Sequence, residues 1–111
     1  PTSTHTLSKV IWKIIECDYQ NQYTKMPNIM HWSDSGVASW YDVAIQIKEI
    51  GLELGILQYD KLILPISSNQ YPTIAKRPKF SVLNSSLTNK ILKLPYHHWR
   101  SSIRDLMKFI N

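Results

Sequence analysis

Four stretches of this chain space their apolar residues as helices do, and only two short runs read as strands. That imbalance limits what it can fold into. Leu7, Val10, Ile11, Ile14 and Ile15 mark a first helix from about Thr6 to Cys17, followed by a polar loop from Asp18 to Pro27. Ser39 opens a second helix as its cap, with Asp42 adding favourable charge near the positive end. Trp40, Val43, Ala44, Ile47, Gly51 and Leu54 share one face of it, and Gly55 is the stop. Ser85 or Ser86 caps a third helix carrying Leu87, Ile91 and Leu92; after Pro95, a fourth lines up Trp99, Ile103, Leu106, Met107 and Ile110. The strand candidates are Ile29-Met30-His31-Trp32, ended by a Ser33-Asp34-Ser35-Gly36 turn, and Leu62-Ile63-Leu64-Pro65-Ile66, whose proline argues for an edge. The pattern is α/β in a single domain spanning residues 1–111. The apolar helix face exceeds what so small a sheet can cover, so some faces are expected to pack against something outside this chain, the alternative being a compact helical module that buries them on one another.

Between the second strand candidate and the third helix lies Tyr71-Pro72-Thr73-Ile74-Ala75-Lys76-Arg77-Pro78. Proline fixes φ and biases its predecessor away from helix, so the loop is expected to be stiff and extended. Lys76 and Arg77 are then presented at a defined place, and the arginine fork matches phosphate oxygens. Tyr71 and Phe80 could stack on a base or sugar face, although aromatics beside a loop more commonly pack as a satellite core.

The net charge of +5 favours acidic ligands, but the cations are scattered, whereas a dedicated nucleic-acid binder clusters them. The single cysteine, Cys17, excludes an internal disulfide framework and fits a reducing, cytoplasmic setting; it reads as a small buried hydrophobe. No apolar run reaches the roughly 18–20 residues of a membrane span. The polar first residues lead straight into a helix pattern, which does not read as a signal peptide. His97 and His98 are adjacent and cannot chelate one metal from a helix, and no other ligand cluster accompanies them. Trp12, Trp32, Trp40 and Trp99 are expected in core or interface. There is no Gly-rich phosphate turn after a strand, and none of the six tyrosines is followed four residues later by lysine. No catalytic, cofactor-binding or metal-binding residue is therefore assigned. A start at Pro1, without methionine, suggests a segment of a longer protein.

An ordered set of segments resembles the C-terminal, substrate-binding part of the dTDP-4-dehydrorhamnose reductases. They are Pro1-Thr2, Leu7 to Ile11, His31 to Gly36, Ala38 to Asp42, Leu64 to Ser67, Tyr71-Pro72-Thr73, Ala75 to Pro78, Ser81-Val82-Leu83 and His98-Trp99-Arg100. The resemblance implies an extended short-chain dehydrogenase whose Rossmann-type N-terminal domain, absent from this chain, binds NADPH or NADH. The parent would reduce the 4-keto group of dTDP-4-dehydro-L-rhamnose, giving dTDP-L-rhamnose. This subdomain would bind the dTDP-sugar through Arg77, with Lys76 and Tyr71 as weaker transfers, and would bind no cofactor itself. Its partners would be that N-terminal domain and the sugar nucleotide, with a homodimer left open. Two other readings stay open at this point: a reductase-like regulatory or binding subunit without catalysis, and a small basic nucleic-acid-binding module.

Overall fold

Ser39 begins a helix for the reason its sequence suggests. Its hydroxyl accepts from the Asp42 N–H at 3.1 Å, and the Asp42 carboxylate accepts from the Ser39 N–H at 2.7 Å. This reciprocal box satisfies two of the donors that a helix start leaves free. The computed structural model describes residues 1–20, 26–75 and 77–110. Among them are four α-helices: α1 (Thr4–Tyr19), α2 (Trp40–Glu53), α3 (Ser86–Leu92) and α4 (Trp99–Lys108), with a short 3₁₀ turn at Ser68–Gln70. α1 is capped by Ser3, whose Oγ accepts from the Thr6 N–H at 3.0 Å. Gly55, at φ +71°, follows the last turn of α2 in the left-handed conformation that glycine adopts without penalty.

The helices pack as two pairs, α1 with α3 and α2 with α4. Val10, Cys17, Trp32 and Leu92 form the first core, flanked by Ile14, Met26, Met30, Ile91 and Leu94. In the second pair, Gln46, Ile50, Gly51, Trp99 and Met107 are the buried positions. Leu57 folds back on this pair, its N–H donating to the Gly51 carbonyl at 2.9 Å. Lys48 meets Asp60 at 2.7 Å just beyond. The radius of gyration is 17.3 Å, against about 13 Å for a compact domain of this size. Two small cores joined through loops, rather than one closed core, account for that excess.

Of the α/β expectation, the four helices are present, while the strands are not seen among the described residues. The runs 29–32 and 62–66 enter no strand ladder among the described residues, where the pairing is a single parallel bridge between Ser35 and His98. An extended segment becomes a strand only when another backbone takes up its N–H and C=O groups. Leu62, Leu64 and Ile66 are exposed, so that stretch finds neither partner nor cover here.

The helical faces also differ from expectation in phase. In α2 the buried residues are Gln46, Ile50 and Gly51, while Trp40 and Ile47 face out. In α1, Thr6, Val10 and Cys17 go inside and Leu7, Ile11 and Ile15 are exposed; in α4, Trp99 and Met107 are buried but Leu106 is not, and Ile110 lies exposed beyond the end of the helix. Each helix thus meets its main partner along a narrow stripe and leaves much of its apolar arc uncovered among the described residues.

α2 and α4 are also clamped at the surface, where Arg104 donates through Nη1 and Nη2 to the two oxygens of the Glu53 carboxylate at 2.6 and 2.8 Å. These bonds from Arg104 hold the Glu53 pKa below its ordinary value, and the bonds from Ser39 do the same for Asp42. A lowered carboxylate pKa gives stability that is present above the unfolded value and lost as the pH falls through the folded one. The melting temperature should therefore drop on acidification below about pH 4. The gap between parent and Arg104→Ala, present at neutral pH, should close over the same range; a gap that persists at low pH would show that the clamp is not ionic.

Candidate functional site

Residues 33–39 are the hub of the molecule because four helix starts meet there. The Ser33 N–H donates to Ser85 Oγ at 2.9 Å, at the start of α3. Asp34 Oδ2 accepts from the Ser3 N–H at 3.1 Å, at the start of α1. Ser35 donates its N–H to the His97 carbonyl at 2.8 Å, and its own carbonyl accepts from the Trp99 N–H at 3.1 Å, at the start of α4. Ser39 itself begins α2. Three elements distant in sequence are thus drawn onto one short loop.

The loop turns at Gly36, where φ is +91°. A Cβ there would stand 2.5 Å from His98 Nε2 and 2.8 Å from Trp99 Cδ1. Glycine is required on both counts, because no L side chain sits comfortably at that φ and no atom fits in that space. His98 Nδ1 accepts from the Arg100 N–H at 3.3 Å, and Nε2 is the ring atom facing Gly36.

Beside this loop is a cleft of about 180 Å³, lined by Pro1 and Thr2, by Ser33, Gly36, Val37 and Ala38, and by Ser81, Val82 and Leu83. It combines serine and threonine hydroxyls and backbone with small apolar side chains. Whole small-molecule sites run to about 300–1,000 Å³, so this cleft suits one ring or group of a larger ligand. A wider and shallower groove of about 470 Å³ lies over Ser8, Lys9, Trp12, Lys13, Glu16 and Leu94.

The site residues expected from charge and aromaticity do not line this cleft. Arg77 and Tyr71 are exposed, with Tyr71 68% accessible, and Lys76 lies outside the described residues. Arg77 is nevertheless four residues before Ser81, so its Cα lies at most about 14 Å from the cleft wall. Reasoning from residue chemistry missed Ser33, Gly36, Val37, Ala38 and Ser81 to Leu83, because small neutral residues carry no chemical signal singly. The signal available was the juxtaposition of Pro1-Thr2, His31 to Gly36 and Ser81-Val82-Leu83 among the quoted segments.

Among the described residues, no helix is long and apolar enough to cross a membrane. A family model described as the RmlD substrate binding domain matches residues 1–111. The chain is 30% identical over 109 residues to the spore coat polysaccharide biosynthesis protein SpsK of Bacillus subtilis (strain 168), covering 97% of this chain and 33% of that protein. It is 26% identical over 109 residues to a dTDP-4-dehydrorhamnose reductase of Aggregatibacter actinomycetemcomitans, covering 98% and 37%. A dTDP-4-dehydrorhamnose reductase of Mycolicibacterium smegmatis (strain ATCC 700084 / mc(2)155) is 26% identical over 106 residues, covering 95% and 29%. The chain therefore spans about a third of the length of the curated relatives it matches. No solved structure matches it at a significant level.

Proposed function

Since the chain belongs to the RmlD substrate binding domain family, we propose that its cleft receives part of a dTDP-sugar within an NAD(P)H-dependent dTDP-4-dehydrorhamnose reductase. The observation that carries this reading is the coincidence of the family match with the geometry. Segments far apart in the chain, each resembling the reductases, are the ones that close around the cleft.

The reaction proposed for the whole protein is reduction of the 4-keto group of dTDP-4-dehydro-L-rhamnose to dTDP-L-rhamnose. A nicotinamide cofactor would supply the hydride. The residues present do not fit that cofactor. Gly36 sits in a bend packed against His98, Gly51 is inside α2 and Gly55 ends it, so none begins a phosphate-cradling helix. Cofactor binding and proton transfer are therefore assigned to a separate N-terminal dinucleotide-binding domain of the same protein, and this segment alone to no reductase chemistry. The exposed apolar arcs of α1 and α2, and the unpaired stretch 62–66, are consistent with an α/β assembly completed by more chain than these residues supply.

The role of this domain is then to hold and aim. The cleft confines one ring of the ligand, while Arg77, with Tyr71 and Lys76 nearby in sequence, meets the diphosphate. Binding free energy gathered away from the reacting carbon orients the keto group where it is reduced. Arg77→Ala in the intact reductase should weaken dTDP-rhamnose binding by about 10-fold or more, the scale of one charge-assisted hydrogen bond. Cofactor binding should be unchanged. Superimposable dTDP-rhamnose titrations of mutant and parent would remove Arg77 from the site.

A further inference from the structure

Asp34 is 2% exposed, and its carboxylate is only half satisfied. Oδ2 accepts from the Ser3 N–H at 3.1 Å, while Oδ1 is buried without a hydrogen-bond partner. Burying a carboxylate in this way is unfavourable, and an apolar residue of similar size would cost less. A residue kept at such a cost calls for a role other than stability.

Its surroundings indicate that role. The flanking backbone is fixed on both sides, Ser33 by Ser85 and Ser35 by His97. Asp34 is thus a rigid post directed at the first turn of α1, where a negative group is also favoured by the helix dipole. Ser3 directly follows Pro1 and Thr2, which form one part of the cleft lining; Gly36, Val37 and Ala38, just after Asp34, form another. The Asp34–Ser3 hydrogen bond joins the two. It is not what caps α1, because Ser3 Oγ does that through the Thr6 N–H.

We propose that Asp34 is a positioning residue for the cleft. Through the Ser3 N–H it sets where Pro1 and Thr2 stand relative to Gly36–Ala38, and so the width offered to a ring of the dTDP-sugar. This rests on the cleft being the sugar-nucleotide site. The test is amide NMR on the intact reductase and its Asp34→Ala and Asp34→Asn variants, with hydrogen exchange and a titration with dTDP. Asparagine keeps an acceptor for Ser3 and alanine does not.

In the parent and in Asp34→Asn, the Ser3 amide should be protected, and dTDP should shift Thr2, Gly36 and Val37 with the same midpoint. In Asp34→Ala, the Ser3 amide should exchange freely and the dTDP midpoint should rise about tenfold, while Thr6 stays protected. A protected Ser3 amide or an unchanged midpoint in Asp34→Ala would overturn the proposal. Joint loss of protection at Ser3, Thr6 and Trp99 would also overturn it, since Asp34 would then be holding the fold rather than the cleft; so would an Asp34→Asn variant that is folded but has an unprotected Ser3. If dTDP shifts nothing in the parent, the reading of the cleft fails and the proposal falls with it. That case is recognisable because Ser3 exchange still separates the variants.

Discussion

Replacing Trp99 with alanine is expected to remove about 3–5 kcal/mol of stability, the usual range for deleting a buried large aromatic. Trp99 is 2% exposed and fills the contact between α2 and α4, where Ile50 and Met107 are also buried. Arg100 lies over its ring at 5.0 Å and turns its far nitrogen to Gln46 of α2 at 2.8 Å, so the side chain also organises its polar neighbours. Few buried residues share the load in this half of the molecule, and little remains to compensate. Whole domains are stable by only about 5–15 kcal/mol, so the loss removes a large share of what holds α2 against α4. The backbone N–H of residue 99 that holds the Ser35 carbonyl is kept in the variant, so the cleft loop should loosen only as far as the start of α4 itself shifts. Urea denaturation of parent and variant reads the difference directly.

The same substitution elsewhere is the control. Trp12 is 64% exposed and Trp40 is 79% exposed, so Trp40→Ala in the isolated chain should change stability by no more than about 0.5 kcal/mol. A Trp40→Ala loss as large as that of Trp99→Ala would mean that the two sides of α2 have been assigned the wrong way round.

That contrast also shows how much of the molecule could be read from residues alone. The start of α2 was legible because its cap is local: Ser39 and Asp42 are three residues apart, and their side chains need nothing else. The start of α1 was not, since its cap Ser3 lies ahead of the Thr6 from which that helix was read. The position of Cys17 was legible because it continues an apolar face. Phase was not. Helical spacing admits Trp40 and Ile47 as readily as Ile50 and Gly51 to the buried stripe of α2, and the choice is made by α4, some 50 residues on, through Trp99. The strands were read from composition, but a strand is a property of two segments, and 62–66 has no second one here. For the cleft, the bonds that assemble it span 31, 52 and 62 residues, from Ser3 to Asp34, Ser33 to Ser85 and Ser35 to His97. No local pattern announces such bonds. Charge drew attention to Arg77, while the enclosing residues are small and uncharged and became visible only as an ordered set.

Gly36→Ala should be the most damaging change available within the cleft itself. Two penalties act together. At φ +91° a residue with a Cβ is strained by about 1–3 kcal/mol, and the new methyl would meet His98 Nε2 at 2.5 Å and Trp99 Cδ1 at 2.8 Å. His98 is exposed and can swing aside, but Trp99 is buried and cannot move without disturbing the α2–α4 contact. The loop is therefore expected to shift, carrying Val37 and Ala38 away from Ser81 to Leu83, so that stability and dTDP affinity fall together. The two penalties can be separated with a second change. Adding His98→Ala to Gly36→Ala removes the imidazole from the clash but leaves the backbone strain and the tryptophan, so stability should recover only in part when measured against His98→Ala alone, which accounts for the lost Nδ1 cap on the Arg100 N–H. Full recovery in the double variant would trace the whole effect to the imidazole. No recovery would place it in the backbone and Trp99. A Gly36→Ala protein with parental melting temperature and dTDP affinity would mean that the bend at Gly36 is not the one described, and the cleft built on it would have to be redrawn.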